Sequence, residues 1–153
     1  MSPAHQQPGE DGYRSGLERN LGQQLDRVEG LDFEYETLII PYTQPAKDRR
    51  YTPDFILPNG IIIEAKGHLQ TADRQKHLMV RDSHPDLDIR FVFSRSTNRI
   101  SKRSKTTYAA WCRSKGFLFA DKVIPAKWIR EPINMTSLAQ INHIRQMRIN
   151  QGR

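Results

Sequence analysis

Residues 52–66 read TPDFILPNGIIIEAK, two apolar runs separated by a Pro-Asn-Gly turn. Short apolar runs bounded by turn residues are typical of β-strands, so this stretch predicts a hairpin. Asp54 lies in the first run, and Glu64 and Lys66 lie at the end of the second. Two acids and a lysine are out of place in a purely structural hairpin, and they mark these positions as candidates for a functional site.

The length of the turn decides which of these side chains meet. A two-residue loop at 59–60 would pair Asp54 with Ala65 and direct Glu64 to the opposite face, because side chains alternate along a strand. It would also place Pro58 inside a strand, where proline cannot donate to the ladder. A three-residue loop that begins at Pro58 and ends with a left-handed glycine fits better and pairs Asp54 with Glu64. We therefore expect one face to carry Thr52, Asp54, Ile56, Ile62, Glu64 and Lys66.

Two carboxylates that face each other on a hairpin repel, and sharing a site raises the pKa of one of them. A hard divalent cation removes both problems, since carboxylate oxygens are the ligands that Mg²⁺ and Mn²⁺ prefer. Lys66 would then reach the attacking water or the scissile phosphate of a phosphodiester, whose developing charge the cation offsets. The alternative is an exposed hairpin in which Lys66 forms an ion pair with Glu64 or Asp54.

The composition is that of one globular domain with its own core, with 153 residues of which 37% are hydrophobic and 27% charged. The chain has no run of 18 apolar residues and no apolar secretory stretch at its start, so we expect a cytoplasmic protein. The single cysteine, Cys112, excludes an intramolecular disulfide and a multi-cysteine zinc site. Because Cys112 lies at helical spacing near Tyr108 and Trp111, we expect a buried structural thiol.

The net charge of +7 and the isoelectric point of about 9.8 favour a polyanionic partner. Acidic residues are absent from 89–120, a stretch rich in arginine and lysine. Scattered basic residues often form only a solvated surface, but this segregation indicates a surface that follows phosphates. Such a surface provides affinity and register rather than sequence readout.

The rest of the chain predicts elements in the order α-β-β-β-α-β-α, an α/β fold in which helices flank a mixed sheet. We expect a flexible tail at 1–13, a folded domain at 14–132, and a basic C-terminal tail at 133–153 that permits a marginal helix. Outside the hairpin, the predicted segments are a helix at 15–29, a strand at 33–42, a polar connector at 45–50, a helix at 71–83 capped by Thr71, a strand at 88–94, a helix at 107–115 ended by Gly116, a strand at 117–119 and a helical turn at 125–129.

Glu18 has two interpretations. Ser15 and Glu18, at the start of the first predicted helix, match a capping box in which the two side chains satisfy unpaired backbone N–H groups. That role alone would explain Glu18. Alternatively, Glu18 would supply a third carboxylate to a cation that two strand acids leave incompletely coordinated.

The histidines nearest the hairpin offer a competing chemistry. His68, His77 and His84 lack the close spacing typical of metal sites, so we do not expect a histidine metal site. We expect His77 to lie on the helix that covers the sheet, from where it would still be able to contact DNA.

Pro53-Asp54 followed by Glu64-Ala65-Lys66 resembles the PD-(D/E)xK nuclease motif, and the predicted order of elements is similar to the core of that superfamily. More narrowly, the chain resembles the phage endonuclease I family, the Holliday-junction resolvases of T-odd coliphages, over residues 13–132. The matching stretches are 14–18, 33–36, 51–55, 57–61, 76–78, 87–90, 119–122 and 124–126. Ala65 stands where the family has threonine, at a position that faces away from the site in the expected register.

The resemblance implies a metal-dependent active site made of a helix glutamate, a strand aspartate, a strand glutamate and a lysine, here Glu18, Asp54, Glu64 and Lys66. The three acids would bind Mg²⁺, with Mn²⁺ as a substitute, and Lys66 would orient or activate water. It also implies a homodimer with exchanged elements, whose composite sites take the helix glutamate from one chain and the other groups from its partner. The exchange hinge would lie near 45–50.

The function implied is that of a structure-selective endonuclease that resolves four-way and branched DNA junctions, leaving 5′-phosphate and 3′-hydroxyl ends. Two-fold symmetry would supply the second cut, and recognition would depend on branch geometry rather than base contacts. Two alternatives stay open, a sequence-specific or mismatch-repair nuclease on the same fold and a non-catalytic basic DNA-binding module. The residues expected on the DNA side are Arg14, Arg74, Lys76, Arg95, Arg99, Lys102, Arg103 and Lys105.

Overall fold

The computed structural model of the chain describes residues 12–44 and 47–151. Its architecture is mixed α/β, as the sequence predicts, but it contains more strands than expected. No helix in these described ranges has the length and apolar character needed to cross a membrane. The elements are α1 (Gly16–Asp26), β1 (Glu34–Tyr35), β2 (Ile40–Gln44), β3 (Lys47–Tyr51), β4 (Phe55–Ile56), β5 (Ile61–Lys66), α2 (Thr71–Ser83), β6 (Asp88–Phe93), α3 (Tyr108–Lys115), β7 (Phe119–Asp121), α4 (Ala126–Arg130) and α5 (Met135–Gln151).

A mixed sheet of five strands forms the centre, in the order β1-β4-β5-β6-β7. Strand β4 is antiparallel to β1 and β5, whereas β5, β6 and β7 run parallel to one another. The hairpin register pairs Phe55 with Ile63 and Ile56 with Ile62. Gly60 has a φ of 88°, a left-handed conformation that glycine adopts without steric cost. The predicted three-residue turn and its register are therefore confirmed.

The strand predicted at 33–42 is divided into two. Glu36 has a φ of 52°, and a residue in the left-handed region cannot continue an extended strand. Strand β1 therefore ends before Glu36, and β2 pairs with β3 in a separate two-stranded sheet. The prediction of a polar connector at 45–50 was wrong for Lys47 to Arg50, which belong to β3. Residues 45–46 lie outside the described residues.

The two faces of the hairpin pack into different parts of the core. Ile56 and Ile62 belong to a buried cluster with side chains of α2 and α5. Phe55 and Ile63 belong to a second cluster with leucines of α1. Ala65 packs against this second cluster, so it lies on the face opposite Ile62, as expected. The site acids thus stand on a hairpin that helices cover from both sides.

The C-terminal segment is more helical than the sequence predicted. Helix α5 buries Ile141 and Ile144 completely, although we expected only a marginal helix within a tail. Its first turn is fixed to the hairpin turn, because the Ser137 hydroxyl donates a hydrogen bond to the carbonyl of Gly60 (2.6 Å). A Cβ added to Gly60 would lie 2.9 Å from the carbonyl oxygen of Asn134, so this contact also requires glycine. Helix α5 is therefore stabilised by tertiary contacts rather than by a strong amphipathic pattern.

Most other element predictions are confirmed within a few residues. Helix α2 has the predicted bounds, but its cap is Gln70 rather than Thr71, and the backbone N–H of Gln70 donates to Asp73 Oδ2 (3.0 Å). Helix α3 ends at Gly116 in a left-handed conformation, and Cys112 is buried, both as predicted. The boundaries of several elements differ from the predicted ones by one to three residues; for example, α1 ends at Asp26, β7 begins at Phe119 and α4 begins at Ala126.

Candidate active site

The two acids of the hairpin interact in a buried position. Asp54 lies just before β4, and its Oδ2 accepts a hydrogen bond from the backbone N–H of Ala65 (2.8 Å), beside Glu64 in β5. Burial raises the pKa of Asp54 well above its usual range, and the negative charges of Glu64 and Glu18 raise it further. The carboxyl groups that the turn register predicted to meet therefore do influence each other.

Glu18, in the first turn of α1, directs its carboxylate into the same region. Ser15 caps the helix as predicted, because its hydroxyl accepts a hydrogen bond from the backbone N–H of Glu18 (3.1 Å). The carboxylate of Glu18 accepts a hydrogen bond from the Tyr35 hydroxyl (3.2 Å). One of its oxygens lies within 4.8 Å of a carboxylate oxygen of Asp54. Ser15 therefore caps the helix, while the side chain of Glu18 lies close to Asp54.

Glu36, which was not predicted as a site residue, joins this cluster. One carboxylate oxygen from each of Glu18, Glu36 and Asp54 lies within 4.8 Å of the others. Burial raises the pKa of Glu36, while the guanidinium of Arg14, 3.2 Å away, opposes that shift. Nothing in the sequence favours Glu36 over Glu34, because a regular strand over 33–42 does not show that the chain turns at this residue.

Lys66 forms ion pairs with two carboxylates. Its Nζ is 3.3 Å from Glu64 Oε1 and 3.3 Å from Asp73 Oδ1. Burial alone would lower the pKa of Lys66, but the charges of Glu64, Asp73 and Asp54 outweigh burial and raise it. The hydroxyl of Tyr51 donates a hydrogen bond of 2.5 Å to Glu64 Oε2. Asp73 and Tyr51 were not predicted as site residues. Asp73 lies in the first turn of α2, and Tyr51 ends β3, a strand that was not predicted.

His77 lies on α2, the helix that covers the sheet, as expected. Its ring is fully buried, with ring centroids 5.0 Å from Tyr51 and 4.8 Å from Phe91. Burial lowers the pKa of His77 well below its usual range, and the nearby charge of Lys66 adds to this effect. The suggestion that His77 contacts DNA is wrong for this conformation, because no part of the side chain reaches the surface.

The basic residues predicted to face DNA fall into two groups. Arg14, Arg74 and Lys76 contact other groups of the protein. Arg14 pairs with Glu36, the guanidinium of Arg74 donates to the carbonyl of Leu69 (2.7 Å), and the Lys76 ammonium lies 5.5 Å from the centre of the Tyr51 ring. The second group is exposed on the segment that joins β6 to α3, and it consists of Arg95, Arg99, Lys102, Arg103 and Lys105.

The cluster fits a hard divalent cation. Glu18, Glu36, Asp54 and Glu64 are largely buried and carry like charges, an arrangement that is costly without a compensating positive charge. Burial raises the pKa values of Asp54 and Glu36, and the neighbouring negative charges raise them further. Carboxylate oxygens are the donors that Mg²⁺ and Mn²⁺ prefer, and Lys66 lies at the edge of the cluster.

The raised pKa of Asp54 predicts that the metal-free protein loses stability as pH rises. A carboxyl group that binds its proton more tightly in the folded state stabilises the fold fully below its unfolded pKa of about 3.9. This stabilisation is lost as the pH rises through the higher folded pKa. In EDTA, Asp54→Asn should therefore raise the melting temperature at pH 8 by about 2–4 °C for each kcal/mol of relieved repulsion. The gain should shrink at pH 5.

The matched control for this measurement is Asp82→Asn, which removes an exposed acid from α2. We expect that change to leave the melting temperature within about 1 °C of the unchanged chain at both pH values. A difference in melting temperature between the Asp54→Asn chain and the unchanged chain that stays constant from pH 5 to pH 8 would contradict the electrostatic interpretation.

Known proteins similar to this chain are consistent with a nuclease site. The family model for phage endonuclease I matches residues 2–148. Endonuclease I of Escherichia phage T7 is 52% identical over 120 residues, which cover 78% of this chain and 80% of the relative. Endodeoxyribonuclease 1 of Enterobacteria phage T3 is also 52% identical over 120 residues, which cover 78% of each chain.

Proposed function

Because the chain belongs to the phage endonuclease I family, we propose that it is a DNA endonuclease that resolves four-way and branched junctions by paired hydrolysis of phosphodiesters. Endonuclease activity on DNA follows from membership of the family. The specificity for junctions and the dependence on a divalent cation are the proposed part. We place this activity in the cytoplasm of the host cell, where phage DNA replicates and recombines.

The main support for this proposal is that Asp54, Glu64 and Lys66 lie close together beside Glu18. Asp54 and Glu64 are the proposed principal ligands of Mg²⁺, with Mn²⁺ as a substitute, and Glu18 is the third. The bound cation would supply an activated water and would offset charge on the phosphate oxygens. Glu36 also lies close to Glu18 and Asp54, so the anionic cluster contains a fourth carboxylate beside the three proposed ligands.

Lys66 is a proposed catalytic residue that orients or activates the attacking water. Its ammonium, held at 3.3 Å from Glu64 Oε1, would donate hydrogen bonds to the attacking water or to a non-bridging phosphate oxygen. Asp73 Oδ1 lies 3.3 Å from the same ammonium and helps to hold it in place. The water oxygen would bond to phosphorus as the P–O3′ bond breaks, so the products carry a 5′-phosphate and a 3′-hydroxyl.

A homodimer with exchanged elements would supply the two cuts that junction resolution needs. Strands β2 and β3 pair with each other on either side of residues 45–46. Glu18 precedes this connection, whereas Asp54, Glu64 and Lys66 follow it. Exchange between two chains at 45–50 would therefore give each site its helix glutamate from one chain and the remaining groups from its partner.

The experiment that tests the proposal compares a synthetic four-way junction with a linear duplex of the same arm sequences. We expect paired nicks in opposed strands of the junction in Mg²⁺, little cutting of the duplex, and no cutting in EDTA. End-labelling should show 5′-phosphates. Equal cutting of duplex and junction would favour a sequence-specific or mismatch-repair nuclease, and junction binding without any cutting would favour a non-catalytic module.

A further inference from the structure

Tyr51 makes the shortest side-chain contact to Glu64 that the structure describes. Its hydroxyl donates to Glu64 Oε2 at 2.5 Å, while the other carboxylate oxygen, Oε1, lies 3.3 Å from Lys66 Nζ. The two oxygens of Glu64 therefore have different partners. A carboxylate that is held at one oxygen by a neutral donor presents its second oxygen in a fixed direction.

The ring of Tyr51 is itself fixed by its surroundings. Tyr51 is 2% exposed and pairs with Ile40 across the two-stranded sheet. The His77 ring packs against it edge-on at 5.0 Å, and the Lys76 ammonium lies 5.5 Å from its centre. The phenol is thus a rigid hydrogen-bond donor.

We propose that Tyr51 is a positioning residue for Glu64, whose hydroxyl holds Oε2 so that Oε1 is directed towards a divalent cation. This inference rests on the proposed metal-dependent function. Groups that orient a metal ligand commonly change metal affinity by about 10–100-fold when they are removed. The competing interpretation is that Tyr51 only fills the core between the two-stranded sheet and α2.

The test is Tyr51→Phe, which removes the hydroxyl and keeps the ring. We expect the affinity for Mn²⁺, measured by electron paramagnetic resonance without DNA, to fall about tenfold or more. The matched control is Tyr42→Phe, because Tyr42 is a buried tyrosine of the same hydrophobic cluster and lies on the neighbouring strand. Its Mn²⁺ affinity should change less than twofold. Equal Mn²⁺ affinity in the Tyr51→Phe chain and the unchanged chain would overturn the proposal.

A double-mutant comparison separates positioning from packing. In a Glu64→Gln chain the hydroxyl of Tyr51 has no carboxylate ligand to hold, so adding Tyr51→Phe should change the remaining Mn²⁺ affinity less than twofold. If Tyr51→Phe lowers Mn²⁺ affinity as much in the Glu64→Gln chain as in the unchanged chain, the hydroxyl does not act through Glu64 and the proposal is wrong. A Tyr51→Phe chain that no longer folds would likewise show that Tyr51 has a structural role. An unchanged chain that binds no Mn²⁺ at this site would refute the proposed function itself.

Discussion

Replacing Glu64 with glutamine is expected to lower Mg²⁺-dependent junction cleavage by about 10³-fold or more. Glutamine keeps the size of the side chain and one carbonyl oxygen, but it removes the charge that would bind the cation and hold Lys66. The measurement is the single-turnover rate of strand cleavage at saturating protein. Junction binding in EDTA, measured by gel shift, should change less than about twofold, because phosphate contacts provide most of the affinity.

The matched control for this change is Glu29→Gln, which removes an exposed acid beyond the end of α1. It should cleave at the rate of the unchanged chain. Retention of a tenth or more of the original cleavage rate by Glu64→Gln would show that Glu64 is not a principal ligand. A parallel loss of junction binding in EDTA would show that the glutamate supports the DNA surface or the fold instead.

A mixed dimer of two inactive chains is expected to recover cleavage of one strand. One chain would carry Glu18→Gln and the other Glu64→Gln, with a different affinity tag on each. If the elements before residues 45–50 are exchanged, one site receives both altered residues and the other receives neither. The junction should then be nicked at one position at close to the rate of a single unaltered site, while each parent dimer stays inactive.

The reciprocal dimer provides the control. It pairs the unchanged chain with a chain that carries both Glu18→Gln and Glu64→Gln. In an exchanged dimer every site would contain one altered residue, so this mixture should be inactive. In a dimer without exchange the outcome reverses, since the unchanged chain would keep a complete site. An active reciprocal dimer beside an inactive first dimer would refute the exchange.

The hairpin and its acids could be predicted because their information is local. Pro58 cannot sit inside a strand, and a glycine two residues later permits the left-handed turn, so the register follows from sequence. Once the register is fixed, Asp54 and Glu64 must be neighbours. The Ser15 cap of α1 and the Gly116 end of α3 were predictable for the same reason, since both features depend on residues within one helical turn.

The parts that the sequence did not predict depend on distant contacts. The left-handed Glu36 divides an apparently continuous strand, and nothing in residues 33–42 requires that break. Helix α5 has a weak apolar pattern and is stabilised by Ser137 at the turn of the hairpin and by Ile141 and Ile144 in the core. Pattern analysis does not include the free energy of such tertiary burial.

The same limit explains the site residues that were missed. Tyr51 directly follows the stretch at 45–50 that was predicted to be a polar connector, and it lies instead at the end of β3, which pairs with β2. Its hydroxyl reaches Glu64 from that strand. Asp73 faces Lys66 because α2 returns across the end of β5. Glu18 was ambiguous, because a capping box and a metal ligand require the same residue at the same position. Only the direction of its side chain distinguishes these roles.

We expect Asp54, Glu64 and Glu18 to surround a bound divalent cation. The most direct test is the anomalous scattering of Mn²⁺ in a crystal of the protein soaked with that ion. We predict a peak about 2.0–2.3 Å from carboxylate oxygens of both Asp54 and Glu64. An anomalous map with Mn²⁺ bound only elsewhere, or with no peak among these carboxylates at millimolar Mn²⁺, would contradict the claim.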